Sequence, residues 1–230
     1  MTDYADLADT YDDVYSDRLS RAENRAVSKL IRPYLDDRDV LDIGCGTGLA
    51  LELSDPHTYH GIDVEPAMIR RARTRWQSSV FTSFGVGNAD TYQPHPDTYD
   101  TVVCLWAWPY FTDPSRVLRS WMTALRPRGD AIILSWDARH TPTLSVDRPS
   151  LAAPISLVRA HAEAVGFSTW PLGGLCARER GRKLARTLPI GIAARMIQRE
   201  AYAPQWLLRL HKPASHIPRL RPVYDQEVGV

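Results

Sequence analysis

Three cysteines in 230 residues, at positions 45, 104 and 176, supply neither an even-numbered disulfide framework nor the C-x-x-C spacing of a metal site. So few thiols point to a reducing compartment, and a cytoplasmic protein with no resident metal is the expectation. No apolar run approaches the ~20 residues of a membrane span, and the chain opens on acidic and polar residues rather than on an export signal. Charge of one sign is missing too. With 28 basic against 27 acidic side chains the net charge is +1, so no overall field recruits nucleic acid or an anionic membrane, and only a local basic patch stays open.

The stretch Val40-Leu41-Asp42-Ile43-Gly44-Cys45-Gly46-Thr47-Gly48-Leu49-Ala50 carries the most information. Val40, Leu41 and Ile43 form a short apolar run of the kind buried inside a parallel sheet, and Leu49, Leu51 and Leu53 follow on an expected helix. The glycines at 44, 46 and 48 allow positive φ and remove the Cβ atoms that would keep a ligand away from the backbone. Two familiar loops fit less well, and a nicotinamide oxidoreductase stays only as a distant alternative. A dinucleotide fingerprint G-x-G-x-x-G would need a third glycine where Leu49 or Leu51 stands, and a phosphate-gripping loop would end in Gly-Lys-Ser/Thr.

The length suits one α/β domain with a full sheet between two helical layers. An acidic arm with Tyr4, Tyr11 and Tyr15 precedes a helix expected from about Ser20 to Leu35, where Ser20-Arg21-Ala22-Glu23 reads as a capping box. Its apolar stripe is Leu19, Ala22, Ala26, Leu30, Ile31 and Tyr34. A second strand over 58–64 ends in Asp63, and Glu65-Pro66 opens a helix whose inner face is Ala67, Met68, Ala72 and Trp76 and whose four arginines (70, 71, 73, 75) form a solvated outer face. A third strand covers 80–86, and 99–106 is a nearly continuous apolar fourth strand expected beside the first, where the strand order reverses. A helix over 115–125, a turn at Arg126-Pro127-Arg128-Gly129 and a fifth strand over 131–136 follow. Gly166-Phe167 starts a sixth strand, and a final antiparallel strand falls within 203–212.

Asp42-x-Gly44-x-Gly46-x-Gly48 after a first strand resembles the opening motif of the class I S-adenosylmethionine-dependent methyltransferases, and the resemblance covers residues 36–137. It implies a Rossmann-like, doubly wound seven-stranded sheet, mostly parallel with an antiparallel last strand, and S-adenosyl-L-methionine as cofactor. It assigns to the cofactor site Asp42, Gly44, Cys45, Gly46 and Gly48 of the loop, Asp63 for the ribose diol with Val64 and Met68 beyond it, and Cys104 and Leu105 at the end of strand four. The turn Asn88-Ala89-Asp90 falls where the adenine amino group is held, although Asn88 stands where the family commonly has Asp. Tyr11, in the pair Tyr11-Asp12, matches a lid that folds over the cofactor. Leu125-Arg126-Pro127-Arg128-Gly129 agrees in plan with the family's turn before strand five.

After strand four the chain does not carry the Asn/Asp-Pro-Pro-Tyr loop of amino-group methyltransferases that act on DNA or glutamine. It is similar instead to the small-molecule branch, with an aromatic loop and then Asp113-Pro114. Trp106, Trp108, Tyr110 and Phe111 are the expected lining of an acceptor pocket, with core packing as the alternative. His140 leads the candidates for a general base, with Asp137, Tyr110 and His161 behind it, because an imidazole titrates near neutrality.

The expected organisation is one domain over 1–230: an N-terminal lid and helix (1–35), a cofactor-binding core (36–137) and an acceptor side (138–230) with an insertion over 171–203. That insertion is basic, with Arg178, Arg180, Arg182, Lys183, Arg186, Arg195 and Arg199 against Glu179 and Glu200. A small-molecule oxygen or nitrogen acceptor is the leading expectation. Methylation of RNA or a peptide through 178–199, and a non-catalytic cofactor-binding partner protein, are the alternatives. The sequence does not set the oligomeric state.

Overall fold

The computed structural model describes residues 10–11, 16–79, 81–136, 154–175, 189–190, 192, 198–199 and 205–214. The first long element, α1 (Arg18–Leu35), lays Leu19, Ala22, Ala26, Val27, Ile31 and Leu35 against the sheet, which is the expected stripe with Leu30 and Tyr34 at its margin. Its start differs from the expected capping box. Asp17 is the N-cap, and its carboxylate accepts from the backbone N–H of Leu19 (2.6 Å) and Ser20 (3.1 Å), so Ser20 lies inside the helix and its hydroxyl also turns to Asp17. A carboxylate takes two of the free N–H groups of a first turn better than one hydroxyl can. Replacing Asp17 by alanine is expected to cost about 1 kcal/mol, a fall of roughly 3 °C in melting temperature measurable by differential scanning calorimetry.

The strands and helices then alternate: β1 (Asp39–Ile43), α2 (Leu49–Leu53), β2 (Thr58–Asp63), α3 (Pro66–Arg75), β3 (Thr82–Val86), β4 (Tyr99–Leu105), a 3₁₀ turn (Trp108–Tyr110) and α4 (Pro114–Ala124). After β5 (Leu125–Trp136) come α5 (Ile155–Val165), β6 (Ser168–Leu175), the two-residue β7 (Gln198–Arg199) and β8 (Gln205–His211). The sheet order is β3-β2-β1-β4-β5-β8-β6-β7. Strands β1 to β5 pair in parallel, and β8 lies antiparallel between β5 and β6. This is the Rossmann-like seven-stranded arrangement expected, with β7 as a short addition at one edge. Consecutive strands step outward from β1 in both directions, so a crevice opens between β1 and β4 at their carboxyl ends.

Strand alternation sends side chains into two cores. Val40, Tyr59, Val103, Ile132 and Leu134 face α1 and α2, while Leu41, Ile43, Val102, Cys104, Ile133 and Trp206 face α4 and α5. Burying each large apolar side chain stabilises the fold by roughly 1.5–3 kcal/mol before chain entropy is counted. On α3 the arginines are not all solvated: Arg73 donates to the Phe84 carbonyl, and Arg75 pairs with Glu52 and stacks on Trp76. The 126–129 turn lies within β5 instead of before it. Pairing with β4 jumps from Tyr99–Leu125 to Thr101–Asp130, and Arg128 takes a left-handed φ of 67°.

Candidate active site

The loop between β1 and α2 is tied down at its base by two bonds, since the N–H groups of Gly44 (2.7 Å) and Cys45 (3.1 Å) both donate to the Ile62 carbonyl at the end of β2. All three glycines have positive φ, but for different neighbours. A Cβ on Gly44 would lie 2.2 Å from the Ala107 methyl, and one on Gly48 would lie 2.5 Å from the Trp76 indole nitrogen, which itself donates to the Thr47 carbonyl at 3.1 Å. A Cβ on Gly46 would meet nothing within 4 Å. Gly44 and Gly48 are therefore packing requirements, and Gly46 is where backbone is open to an incoming molecule.

Two carboxylates stand next to this loop, Asp63 bonded to it and Asp42 on the strand that leads into it. Asp63 bridges the loop and the next helix: one oxygen accepts from the Gly46 N–H at 2.8 Å and the other from the Glu65 N–H at 2.9 Å. Glu65, not Asp63, caps α3, through its own carboxylate to the Ala67 N–H. Asp42 is only 2 % exposed, and its Oδ2 accepts from the Tyr59 hydroxyl at 2.5 Å while Oδ1 is buried with no partner. Loss of solvent pushes the Asp42 carboxyl up to about 7, against the Tyr59 bond that lowers it and with the nearby Asp63 charge adding to the rise. Asp63 is raised in the same way, by burial first. Among the described residues neither carboxylate has an ion-pair partner. Burial thus disfavours the ionised form of both carboxyls, and a positive charge placed beside them would stabilise it.

The remaining expected residues divide by location. Tyr11 packs on Ala67 and Met68 at the start of α3. Val64, next to Asp63, is 64 % exposed. The side chains of Cys45, Cys104 and Leu105 are buried in the two cores, and burial raises both thiols well above their ordinary range, which keeps them neutral. Ala89 packs at the margin of the α4 core, and the Asn88 carbonyl oxygen of the side chain accepts from the Asp90 N–H at 2.9 Å. Asp90 braces the next loop: it accepts from the Thr112 N–H and hydroxyl and from the Asp113 N–H, bonds that outweigh desolvation and hold its carboxyl low.

The aromatic loop splits across the sheet. Trp108, 3 % exposed, sits edge-on to Phe111 and Trp121 in the α4 core, whereas Trp106 packs on the α1 face and Tyr110 is 45 % exposed on the 3₁₀ turn. His161 lies between α4 and α5, with Nδ1 2.9 Å from the Ser115 hydroxyl. His140, Asp137, Asp12 and the charged side chains of 178–199 lie outside the described residues. Among the described residues no group of His, Cys, Asp and Glu could hold a metal ion, and no helix is long and apolar enough to cross a membrane.

Sequence reasoning missed four contributors: Tyr59, Trp76, Ala107 and Gln205, the last accepting from the Trp106 indole N–H at 3.0 Å. Period two on β2 placed Tyr59 on the face of Asp63, and that was the available signal.

A doubly wound sheet with a glycine loop after β1, an acidic residue ending β2 and a crevice at the strand reversal defines a Rossmann-like fold. Residues 40–129 match the sequence profile of a methyltransferase domain. The match spans about two fifths of the chain and bears out the resemblance to the class I S-adenosylmethionine-dependent methyltransferases. It is similar to the ubiquinone biosynthesis O-methyltransferases of Aeromonas salmonicida (33 % identity over 98 residues, 41 % of each chain) and Thiobacillus denitrificans (28 % over 102 residues, 43 % of this chain and 44 % of that one). The matched segment thus spans about two fifths of the length of these curated relatives. In fold it resembles a putative methyltransferase of Haloferax volcanii solved in complex with the Trm112 methyltransferase activator, with a TM-score of 0.67 at 20 % identity over 92 % of this chain and 98 % of that one. A Thermotoga maritima protein described as a possible histamine N-methyltransferase gives a TM-score of 0.64 at 16 % identity, over 91 % and 98 % of the two chains.

Proposed function

We propose that this protein transfers the methyl group of S-adenosylmethionine to an oxygen of a small-molecule acceptor. The carrying observation is a pair of carboxylates beside the glycine loop without a cation among the described residues: Asp42, buried, and Asp63, partly buried and bonded to the open backbone at Gly46. When bound, the cofactor supplies a sulfonium methyl that is already electrophilic. The chain's task is then alignment, which can contribute on the order of 7–11 kcal/mol to the barrier reduction. Asp63 takes the ribose diol in place of the backbone donors it now holds, Gly46 permits close approach, and Asp42 offsets positive charge through its field. Val64 and Tyr11 provide apolar surface on the adenosine side. With the cofactor bound, its sulfur would leave with the electron pair of the S–C bond as the acceptor oxygen took the methyl group, and this chain's part would be to align the two and to accept the acceptor's proton. Tyr110 and His140 are the proposed candidates for the base.

Similarity of the core segment to O-methyltransferases supports oxygen as the attacked atom. Titration calorimetry with S-adenosylhomocysteine tests the seat: the protein binds it, and Asp63→Ala weakens binding by about 10- to 100-fold, as expected for charge-assisted bonds to a diol. Equal affinity in the variant would sink the assignment.

A further inference from the structure

At the carboxyl end of β5, beside the crevice, the Gln205 carboxamide has hydrogen-bonding capacity left over. Trp106, directly after β4, adopts a φ of 60°, a left-handed conformation that bulky residues avoid. It is held there at both ends, by its backbone N–H to the Leu134 carbonyl at 2.7 Å and by its indole N–H to Gln205 Oε1 at 3.0 Å. The following Ala107 is pressed against the glycine loop, where it fills the position of a Gly44 Cβ. Gln205 is the first residue of β8 and pairs with Trp136, so it stands at the carboxyl end of β5. It is 4 % exposed.

An indole N–H can only donate, so the Gln205 atom it meets must be the carbonyl oxygen, and the orientation of the carboxamide is fixed. The NH2 group is then left with two donors. Among the described residues nothing accepts from it, and it is not one of the buried unpartnered atoms, so it reaches accessible space. Trp106 packs on the same face of the sheet as Tyr59 and Cys45, the neighbours of Asp42. Strand spacing places Gln205 about 10 Å from β4 and about 14 Å from β1, the distance of a second ligand lying beyond one held in the β1–β4 crevice.

We infer that Gln205, oriented by Trp106, is a specificity-determining residue of the acceptor subsite: its NH2 donates to an oxygen of a planar, largely apolar acceptor whose body lies against the Trp106 indole. This rests on the methyltransferase reading above. It selects an acceptor with an oxygen lone pair at that position and discriminates against the hydrocarbon of the same shape, because that ligand would cover the NH2 and leave it unpaired.

The test uses the full chain saturated with S-adenosylhomocysteine and two matched probes, 4-methylanisole and its isostere 4-ethyltoluene, with affinities from ligand-observed NMR titration. The ether offers an acceptor oxygen, and neither probe can be methylated at it. The wild-type protein is expected to prefer the ether about tenfold relative to the preference of Gln205→Leu. Gln205→Glu keeps an acceptor for the Trp106 indole but removes the donors, so it loses the same preference while S-adenosylhomocysteine affinity stays unchanged in both variants. Equal binding of the two probes to the wild type, no binding of either, or a preference that survives in Gln205→Leu overturns the assignment. If S-adenosylhomocysteine itself fails to bind the wild type, the cofactor seat falls and this proposal falls with it. Normal cofactor binding with unchanged probe selectivity removes the Gln205 role alone.

Discussion

Alanine at Gly46 is expected to leave the protein folded but with much weaker cofactor affinity, whereas alanine at Gly44 is expected to damage the fold itself. At Gly44 the new methyl would lie 2.2 Å from the Ala107 Cβ, far inside contact distance, and φ is 76°. Ala107 has no flexible tip to move aside, and its neighbour Trp106 is already held in a strained conformation. Overpacking of this kind costs about 1–3 kcal/mol or more, and the left-handed backbone adds roughly 1–2 kcal/mol. Together they predict a melting temperature lower by roughly 10 °C. At Gly46 a methyl meets nothing within 4 Å, so only the backbone penalty applies, and melting falls by a few degrees at most. The same methyl stands where the ligand must approach, and S-adenosylhomocysteine affinity should drop by on the order of 100-fold, corresponding to about 2.7 kcal/mol. Calorimetric melting and binding titrations on the two variants separate the roles. A Gly46→Ala protein with undiminished affinity would show that the cofactor does not approach this backbone.

That difference between neighbouring glycines marks how far sequence alone could reach. The loop, the sheet and the strand reversal were legible because they rest on local patterns: an apolar run, glycine spacing and an acidic residue ending β2. The helix stripe of α1 was legible for the same reason, while its cap was misread by three residues because Asp17 and Ser20 are both good caps and only their competition decides. Which glycine faces a ligand depends on Ala107 and Trp76, distant in sequence and brought in by β4 and α3. The two tryptophans of the aromatic loop look alike in sequence, yet the turn after β4 sends Trp108 into the α4 core and Trp106 to the opposite face. Gln205 is 99 positions from Trp106, and only the antiparallel return of β8 beside β5 makes them partners. Tyr59 likewise meets Asp42 across paired strands, so its effect on that carboxylate is a property of the folded sheet.

Cofactor affinity should therefore rise with pH through the neutral range, and Asp42 is the group that makes it do so. Its carboxyl is raised by burial from an ordinary 3.8 to about 7, which means that the folded protein holds a proton the unfolded chain releases. The contribution to stability is fully present below the unfolded value and is lost as pH rises toward 7, amounting to on the order of 4 kcal/mol over the interval. A cation in the seat reverses this preference, because it stabilises the ionised carboxylate. Binding below pH 7 then expels a proton, and affinity falls by up to tenfold per unit of acidification until the carboxyl of the complex itself titrates. The groups facing Asp42 are Tyr59 and Asp63 from β2, Cys45 from the loop and Cys104 from β4. Burial raises the tyrosine and both thiols well above their ordinary values, so none of the three supplies the dependence, and Asp63 is raised by burial as well. Titrations of S-adenosylmethionine at pH 6 and pH 8, each in two buffers of different ionisation enthalpy, count the protons released. Release is expected at pH 6 and almost none at pH 8. Asp42→Asn should bind more weakly at pH 8 and lose most of the dependence. Tyr59→Phe removes the bond that lowers the Asp42 carboxyl and should move the midpoint upward. A flat profile in the wild type, or one unchanged in Asp42→Asn, would show that no cation is held beside this carboxylate.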